Sequence, residues 1–144
     1  MSFSRFSSLP ILLRTRKLRV VPMQQDGNCF YRAVATAYHE DEALHHQLRR
    51  SLMDYIMAEK KRYEPLFFGQ RSMSGMIMAN RRAGVWNTDL ADIVPAAIAA
   101  FLNVRVEVYS VCDDDSVVRY VFGESGGHKI RLLHRWNHYD VLMR

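Results

Sequence analysis

The sequence predicts an α+β fold, in which a small, mostly antiparallel sheet of about five strands is packed between helices. Residues 41–62 carry apolar side chains at helical spacing and end in basic residues, as an amphipathic helix does. Near the C-terminus, four segments instead alternate apolar and polar side chains, as strands do: residues 104–110, 117–122, 128–133 and 138–143. The short turns between these segments favour antiparallel neighbours.

The elements before the sheet follow from local signals. Residues 17–21 form a short predicted strand. The turn residues at 26–28 then lead into an apolar helix over residues 30–38, which contains neither proline nor glycine. Pro65 ends the helix that spans residues 41–62.

Two further helices are predicted between Pro65 and the sheet. Residues 72–82 are rich in methionine, which favours adaptable core packing over a substrate-facing surface. Residues 89–102 follow a cap at Asn87 or Thr88. Pro95 lies inside this segment, so we expect a kink or a restarted helix there.

Charge divides the chain into two parts. All 15 acidic residues and 15 of the 20 Lys and Arg residues follow residue 25, whereas the bases before it have no acidic counterpart. We expect a basic N-terminal arm over residues 1–16 and one domain over residues 17–144. A domain without net charge argues against a nucleic-acid partner. The arm faintly resembles a mitochondrial presequence or a membrane-surface segment, but a disordered or capping arm is the preferred interpretation.

The composition also indicates which cofactors, partners and cellular compartment to expect. No apolar run approaches the roughly 18 residues of a membrane span, and no cluster of cysteine and histidine has metal-ligand spacing. We therefore expect no metal, no cofactor, no membrane attachment and a monomer. Cys112 is expected at a strand end in a reducing compartment, which is the cytoplasm, or the host cytoplasm for a viral or bacterial effector protein. The basic arm leaves organellar targeting open.

One cysteine stands where a nucleophile is activated. Cys29 follows Asp26, Gly27 and Asn28 and begins the apolar helix. Its thiol then lies at the positive end of the helix dipole, which favours the thiolate. The backbone N–H groups of residues 26–29 are the candidate donors to an oxyanion. The alternative is that Cys29 is a buried and unreactive small side chain.

A cysteine nucleophile needs a general base, and the last predicted strand supplies one. His138 and Asp140 are two residues apart, and side chains two apart in a strand share a face. Asp140 is therefore expected to hold the imidazole of His138 in the tautomer that accepts a proton from Cys29.

The other histidines are weaker candidates for the base. His134 has no acidic neighbour, and a predicted turn over residues 135–137 separates it from His138. Three more flank or lie on a polar helix and are expected at the solvated surface: His39, His45 and His46. Trp136 lies in the turn before His138 and is expected to serve packing rather than chemistry.

Together these motifs resemble the OTU (ovarian-tumour) cysteine proteases. The resemblance rests on Asp-Gly-Asn-Cys followed by two aromatic residues, arginine and alanine, and on a terminal His-Tyr-Asp after a hydrophobic strand. It extends over residues 18–143 and implies a papain-like fold with the nucleophile at a helix N-terminus. Two positions depart from the family pattern: Phe30 stands where leucine is commoner, and Asn87 stands where glycine is usual.

The resemblance also implies an activity. Members are mostly isopeptidases that remove ubiquitin or ubiquitin-like modifiers, and Cys29 would be the nucleophile, His138 the base and acid, and Asp140 the residue that orients His138. Asp26 is a second candidate for that orienting role, because in some members the aspartate three residues before the cysteine takes it. Two other functions stay open: a catalytically silent module that binds ubiquitin or another protein, and a viral or effector protease for another protein substrate.

Overall fold

Six α-helices and five strands make up the part of the chain that the computed structural model describes, which is residues 10–69, 71–82, 84–86, 90–124 and 127–144. The helices are α1 (Ile11–Thr15), α2 (Cys29–His39), α3 (His45–Ala58), α4 (Lys60–Tyr63), α5 (Met73–Ala79) and α6 (Ile93–Leu102). The strands are β1 (Arg19–Val21), β2 (Arg105–Val111), β3 (Val117–Phe122), β4 (Lys129–Arg135) and β5 (His138–Met143). Short 3-10 helices occupy Glu42–Leu44 and Glu64–Leu66.

Helix α1 lies within the segment that was predicted to be an arm, and the other helices differ from the sequence prediction mainly at their ends. The helix expected over residues 41–62 is divided into the first 3-10 helix, α3 and α4. The helix expected from residue 89 begins only at Ile93, which places Pro95 in the first turn of α6, where its missing N–H removes no helical hydrogen bond. Residues 87–89, with the predicted cap, lie outside the described residues.

The predicted α+β fold with a five-stranded, mostly antiparallel sheet is confirmed. The strand order is β1-β5-β4-β2-β3. β4 does not pair with β3, which precedes it along the chain; it lies on the other side of β2 and runs parallel to it. Every other pair of neighbouring strands is antiparallel. β4 and β5 form a tight hairpin in which Arg135 is opposite His138.

Helices cover both faces of this sheet. The larger core lies between the sheet and helices α2, α3, α5 and α6. A smaller core on the opposite face contains Leu13 of α1, which is fully buried beside Tyr109 and Leu133. Arg16 donates a hydrogen bond to the Tyr109 hydroxyl. Residues 10–16 therefore contact the sheet, whereas residues 1–9 of the predicted arm lie outside the described residues.

The position of α2 matters most for the site. Its buried side includes Phe30, Tyr31 and Val34, and the Phe30 ring packs edge-on against Tyr139 of β5 at 5.1 Å between centroids. The first turn of α2 therefore meets the start of the last strand. Among the described helices, none combines the length and the apolar character needed to cross a bilayer.

Candidate active site

His138 and Asp140 lie side by side on β5. The His138 Nε2 atom is 2.7 Å from Asp140 Oδ1, and both residues are buried. The same oxygen accepts a hydrogen bond from the backbone N–H of Met23, which holds the carboxylate in place. A carboxylate only accepts, so Nε2 donates and Nδ1 of the neutral ring keeps its lone pair. Nδ1 is buried and has no hydrogen-bond partner among the described residues.

Helix α2 brings the Cys29 thiol to the same strand. Cys29 is the first residue of α2 and is only 5% exposed. The backbone N–H groups of Tyr139 and Phe30 lie near its sulfur and act to lower the pKa of the thiol. Because Tyr139 separates His138 from Asp140 in β5, the sulfur lies next to the strand segment that carries both side chains. The structure thus brings together the three residues that the sequence selected as a candidate triad.

Burial raises the pKa of the Cys29 thiol. Desolvation is the largest cause, the two N–H donors from Tyr139 and Phe30 oppose it, and the charges of Asp26 and Asp140 add to it. Burial thus acts against the thiolate, which the position at a helix N-terminus favours. The protonated thiol is therefore favoured, and attack by the sulfur requires a nearby proton acceptor.

Asp26 bonds to Asn28 and Arg32. Its carboxylate accepts hydrogen bonds from the backbone and side-chain amide of Asn28, and it forms an ion pair with Arg32 at 3.0 Å. Burial raises the pKa of Asp26, but the hydrogen bonds from Arg32 and Asn28 outweigh burial, so the pKa is lowered overall. Asp26 therefore shapes the turn before Cys29, whereas Asp140 is the acid that contacts His138.

The four candidate oxyanion donors are not equivalent. The Asp26 N–H bonds to the Gln24 carbonyl, the Asn28 N–H bonds to the Asp26 side chain, and the Cys29 N–H makes a long bond of 3.3 Å to the Asp26 carbonyl. The Gly27 N–H has no partner within the described part of the chain. Gly27 is therefore the donor that is open in this conformation.

A close backbone contact explains the glycine at this position. A Cβ atom on Gly27 would overlap the carbonyl oxygen of Gly84, so a side chain does not fit there. The backbone N–H of Gly84 in turn donates to the side-chain oxygen of Asn28. The turn before Cys29 is therefore packed directly against the segment around Gly84.

Arg49 forms hydrogen bonds with both of these segments. It lies in α3 and is fully buried. One terminal nitrogen donates to the carbonyls of Asn80 at 2.9 Å and Val85 at 2.6 Å. The other donates to the carbonyl of Gly27 at 2.7 Å and to the side-chain oxygen of Asn28 at 3.2 Å. One guanidinium thus holds the carbonyl side of the turn that carries the candidate oxyanion donors.

Arg49 is a residue of the site that was not predicted from the sequence. Its guanidinium lies 4.1 Å from the centroid of the Tyr31 ring, and its described hydrogen-bond partners are all neutral oxygens. One signal was available, because Arg49 precedes Leu52, Met53 and Ile56 at helical spacing, and these three are core residues. A cation on the apolar stripe of a helix indicates a buried binding role.

Two further sequence expectations need correction. His45, expected at the surface, is 3% exposed at the start of α3, and its ring centroid lies 3.8 Å from that of His46. Trp136, expected to pack, is 53% exposed at the tip of the last hairpin. His134 bonds through Nδ1 to the Ser110 hydroxyl, so that ring nitrogen is occupied.

Comparison with known proteins gives a family match. A family model described as OTU-like cysteine protease matches residues 24–139. The human protein "OTU domain-containing protein 1" is 33% identical over 92 residues, which is 64% of this chain and 18% of that protein. The chain thus spans less than a fifth of that curated relative.

Solved structures agree with this match. The structure titled "Structure of OTUD1 OTU domain" has a TM-score of 0.78 and 25% identity, and the alignment covers 96% of this chain and 93% of that chain. The Hazara virus OTU, solved bound to ubiquitin, has a TM-score of 0.68 at 22% identity, over 88% of this chain and 80% of that chain.

Proposed function

The chain belongs to the OTU-like cysteine protease family, and from that premise we propose that it is a cysteine-dependent isopeptidase that removes ubiquitin or a ubiquitin-like modifier from proteins. One observation carries the proposal. Asp140 occupies Nε2 of His138 and leaves Nδ1 buried and unbonded within the described residues, while the sulfur of Cys29 lies against the adjacent Tyr139 backbone. Ubiquitin is the preferred modifier, because the similar Hazara virus protein was solved with it.

The proposed reaction is acyl transfer through a thioester. Nδ1 of His138 accepts the Cys29 proton as the sulfur attacks the carbonyl carbon of the isopeptide bond. Backbone N–H groups of the turn before Cys29, that of Gly27 above all, stabilise the oxyanion of the tetrahedral intermediate. His138 then protonates the lysine amine, which leaves, and the modifier stays on Cys29 as a thioester. Water that gives its proton to His138 hydrolyses the thioester and regenerates the thiol.

Replacement of the nucleophile is the direct test. Cys29→Ala is expected to abolish cleavage of a ubiquitin–peptide conjugate, while its thermal unfolding midpoint stays close to that of the wild type, since sulfur removal leaves the backbone unchanged. Unimpaired turnover by this variant would refute the mechanism. A wild type that binds ubiquitin without cleaving it would instead identify a silent binding module.

A second pair of variants tests which acid orients His138. Asp140→Asn is expected to lower kcat strongly, by about a hundredfold or more, because the amide cannot stabilise the imidazolium. Asp26→Asn is expected to have a smaller effect, since Asp26 bonds to Arg32 and Asn28. A large loss in Asp26→Asn with near wild-type activity in Asp140→Asn would reverse the assignment.

A further inference from the structure

The last hairpin turns at two residues whose backbone geometry is unusual. Trp136 and Asn137 connect β4 to β5 and have φ of 53° and 57°. Two consecutive residues with positive φ are typical of a tight hairpin turn, where asparagine and glycine are favoured. A bulky aromatic residue with positive φ is an outlier. Trp136 therefore occupies a position where its side chain makes the turn less favourable.

Packing does not compensate for this unfavourable geometry, because the Trp136 side chain is 53% exposed. A tryptophan that is half exposed buries little apolar surface to offset the cost of this backbone conformation. Backbone outliers of this kind concentrate at ligand-binding and catalytic positions. The position of Trp136, two residues before His138, fits that pattern.

The indole ring is nevertheless held in place. The Arg135 guanidinium lies 4.2 Å from the centroid of the Trp136 ring, within the range of a cation–π contact. Arg135 is largely buried and forms an ion pair with Asp115 at 2.8 Å. Arg135 is also directly opposite His138 in the hairpin, so their side chains share a face. The Trp136 ring is therefore held by the residue that pairs with the proposed general acid in the hairpin.

The chemistry of the proposed reaction indicates what this surface contacts. His138 must approach the leaving lysine amine closely enough to protonate it. The polypeptide that carries this lysine must therefore lie near His138. We propose that the Trp136 ring, supported by Arg135, is a subsite for the polypeptide on the leaving-group side, where it stacks against apolar side-chain stems and peptide planes. This inference rests on the proposed isopeptidase function.

Two substrates with the same acyl part separate this role from a general effect on the active site. In one, ubiquitin is joined to the lysine of a fluorescent peptide; in the other, its C-terminus is joined to aminocoumarin, a small leaving group. Trp136→Asn suits positive φ and removes the ring. We expect kcat/KM for the peptide conjugate to fall about tenfold, chiefly through KM, as for an exposed aromatic anchor in a binding site. Turnover of the coumarin substrate should change less than about twofold, and the unfolding midpoint should stay the same or rise.

Two matched variants complete the experiment. Trp136→Phe keeps an aromatic face and should recover most of the activity on the peptide conjugate. Asn137→Gly alters the same turn without removing the ring and should leave the ratio between the substrates unchanged. Equal losses on both substrates, or no loss on either, would overturn the inference while leaving the isopeptidase proposal intact. A wild type that cleaves neither substrate would overturn the proposed function, and the inference with it.

Discussion

Two buried charges on opposite sides of the sheet are compensated in different ways. Arg49, in the helical layer, is fully buried, and its described hydrogen bonds go to three backbone carbonyls and the side-chain oxygen of Asn28. Glu107, on β2 at the face that carries α1, is equally inaccessible but is surrounded by opposite charge. Its basic neighbours, at 3.0 to 3.9 Å, are Arg105, Arg119, Lys129 and Arg131.

The difference indicates what each charge does. An ion pair neutralises a charge and ties strands together, but it fixes no backbone elsewhere in the molecule. A guanidinium bound to carbonyl groups instead fixes the backbone that carries them, because its donors have a rigid geometry. Arg49 therefore positions the turn before Cys29, whereas Glu107 contributes to the stability of the sheet away from that turn.

The largest effect is expected when Arg49 is removed. Arg49→Met leaves the carbonyls of Gly27, Asn80 and Val85 without their buried donor, so the free energy of unfolding should fall by about 3 kcal/mol. A loosened turn should also lower kcat/KM about a hundredfold, as expected for a displacement of about 1 Å at a catalytic group. Chemical denaturation and the cleavage assay measure the two effects.

Arg49→Lys is the matched control for this prediction. It keeps the positive charge but cannot bond to all of these carbonyls at once, so its activity should lie between those of the wild type and Arg49→Met. Full activity in a folded Arg49→Met protein would show that the turn holds its shape without the guanidinium. Arg49 would then have no positioning role that distinguishes it from Glu107.

Glu107→Gln should affect stability alone. The amide leaves Arg105, Arg119, Lys129 and Arg131 clustered without their shared counter-charge. We expect the free energy of unfolding to fall by about 1–3 kcal/mol, with kcat/KM within about twofold of the wild type. A large loss of activity in a protein that is still folded at the assay temperature would mean that the two regions are coupled.

The pH dependence of stability tests whether Glu107 is ionised in the folded protein. Burial raises the pKa of Glu107, but hydrogen bonds from Arg119 and Tyr109 and the nearby positive charges outweigh it, so the pKa is lowered overall. A carboxylate with a lowered folded-state pKa stabilises the protein above the ordinary glutamate value, and that contribution is lost as the pH falls through the folded value. The difference in unfolding midpoint between wild type and Glu107→Gln should therefore shrink in acid. A constant difference would argue against an ionised Glu107.

The smallest expected effect concerns the titration of Cys29. Because burial raises the pKa of this thiol, its alkylation by iodoacetamide in a His138→Ala background should have a midpoint above the ordinary thiol value. Adding Glu107→Gln should not move that midpoint, since the charge cluster lies on the other side of the sheet. Peptide mapping distinguishes Cys29 from the exposed Cys112. A midpoint below the ordinary value would show that the helix N-terminus outweighs burial.

Local patterns predicted the parts of the site that depend on few residues. The turn before Cys29 and the shared face of His138 and Asp140 follow from turn propensity and from the two-residue period of a strand. The existence of the last four strands followed from alternation in the same way. Each of these features is encoded within a few neighbouring positions.

The remaining features depend on contacts between distant residues. The parallel pairing of β4 with β2 is set by which strands meet in the folded sheet, and short connections alone favoured the wrong neighbour. Arg49 resembled a solvated helix residue, because its carbonyl partners are backbone atoms at positions 27, 80 and 85. Every residue has a backbone carbonyl, so the residue types at these positions do not show which carbonyls accept a hydrogen bond from arginine. The positive φ of Trp136 was hidden for a related reason, since tryptophan does not signal that conformation.

Covalent capture tests the central claim most directly. Ubiquitin that carries an electrophile at its C-terminus should form a single adduct with the wild type, and peptide mass spectrometry should place that adduct on Cys29. His138→Ala should slow its formation strongly, because the thiol then lacks its proton acceptor. Cys29→Ala should form no adduct, although Cys112 remains exposed in that variant. An adduct on Cys112, or one that forms equally fast without His138, would contradict it.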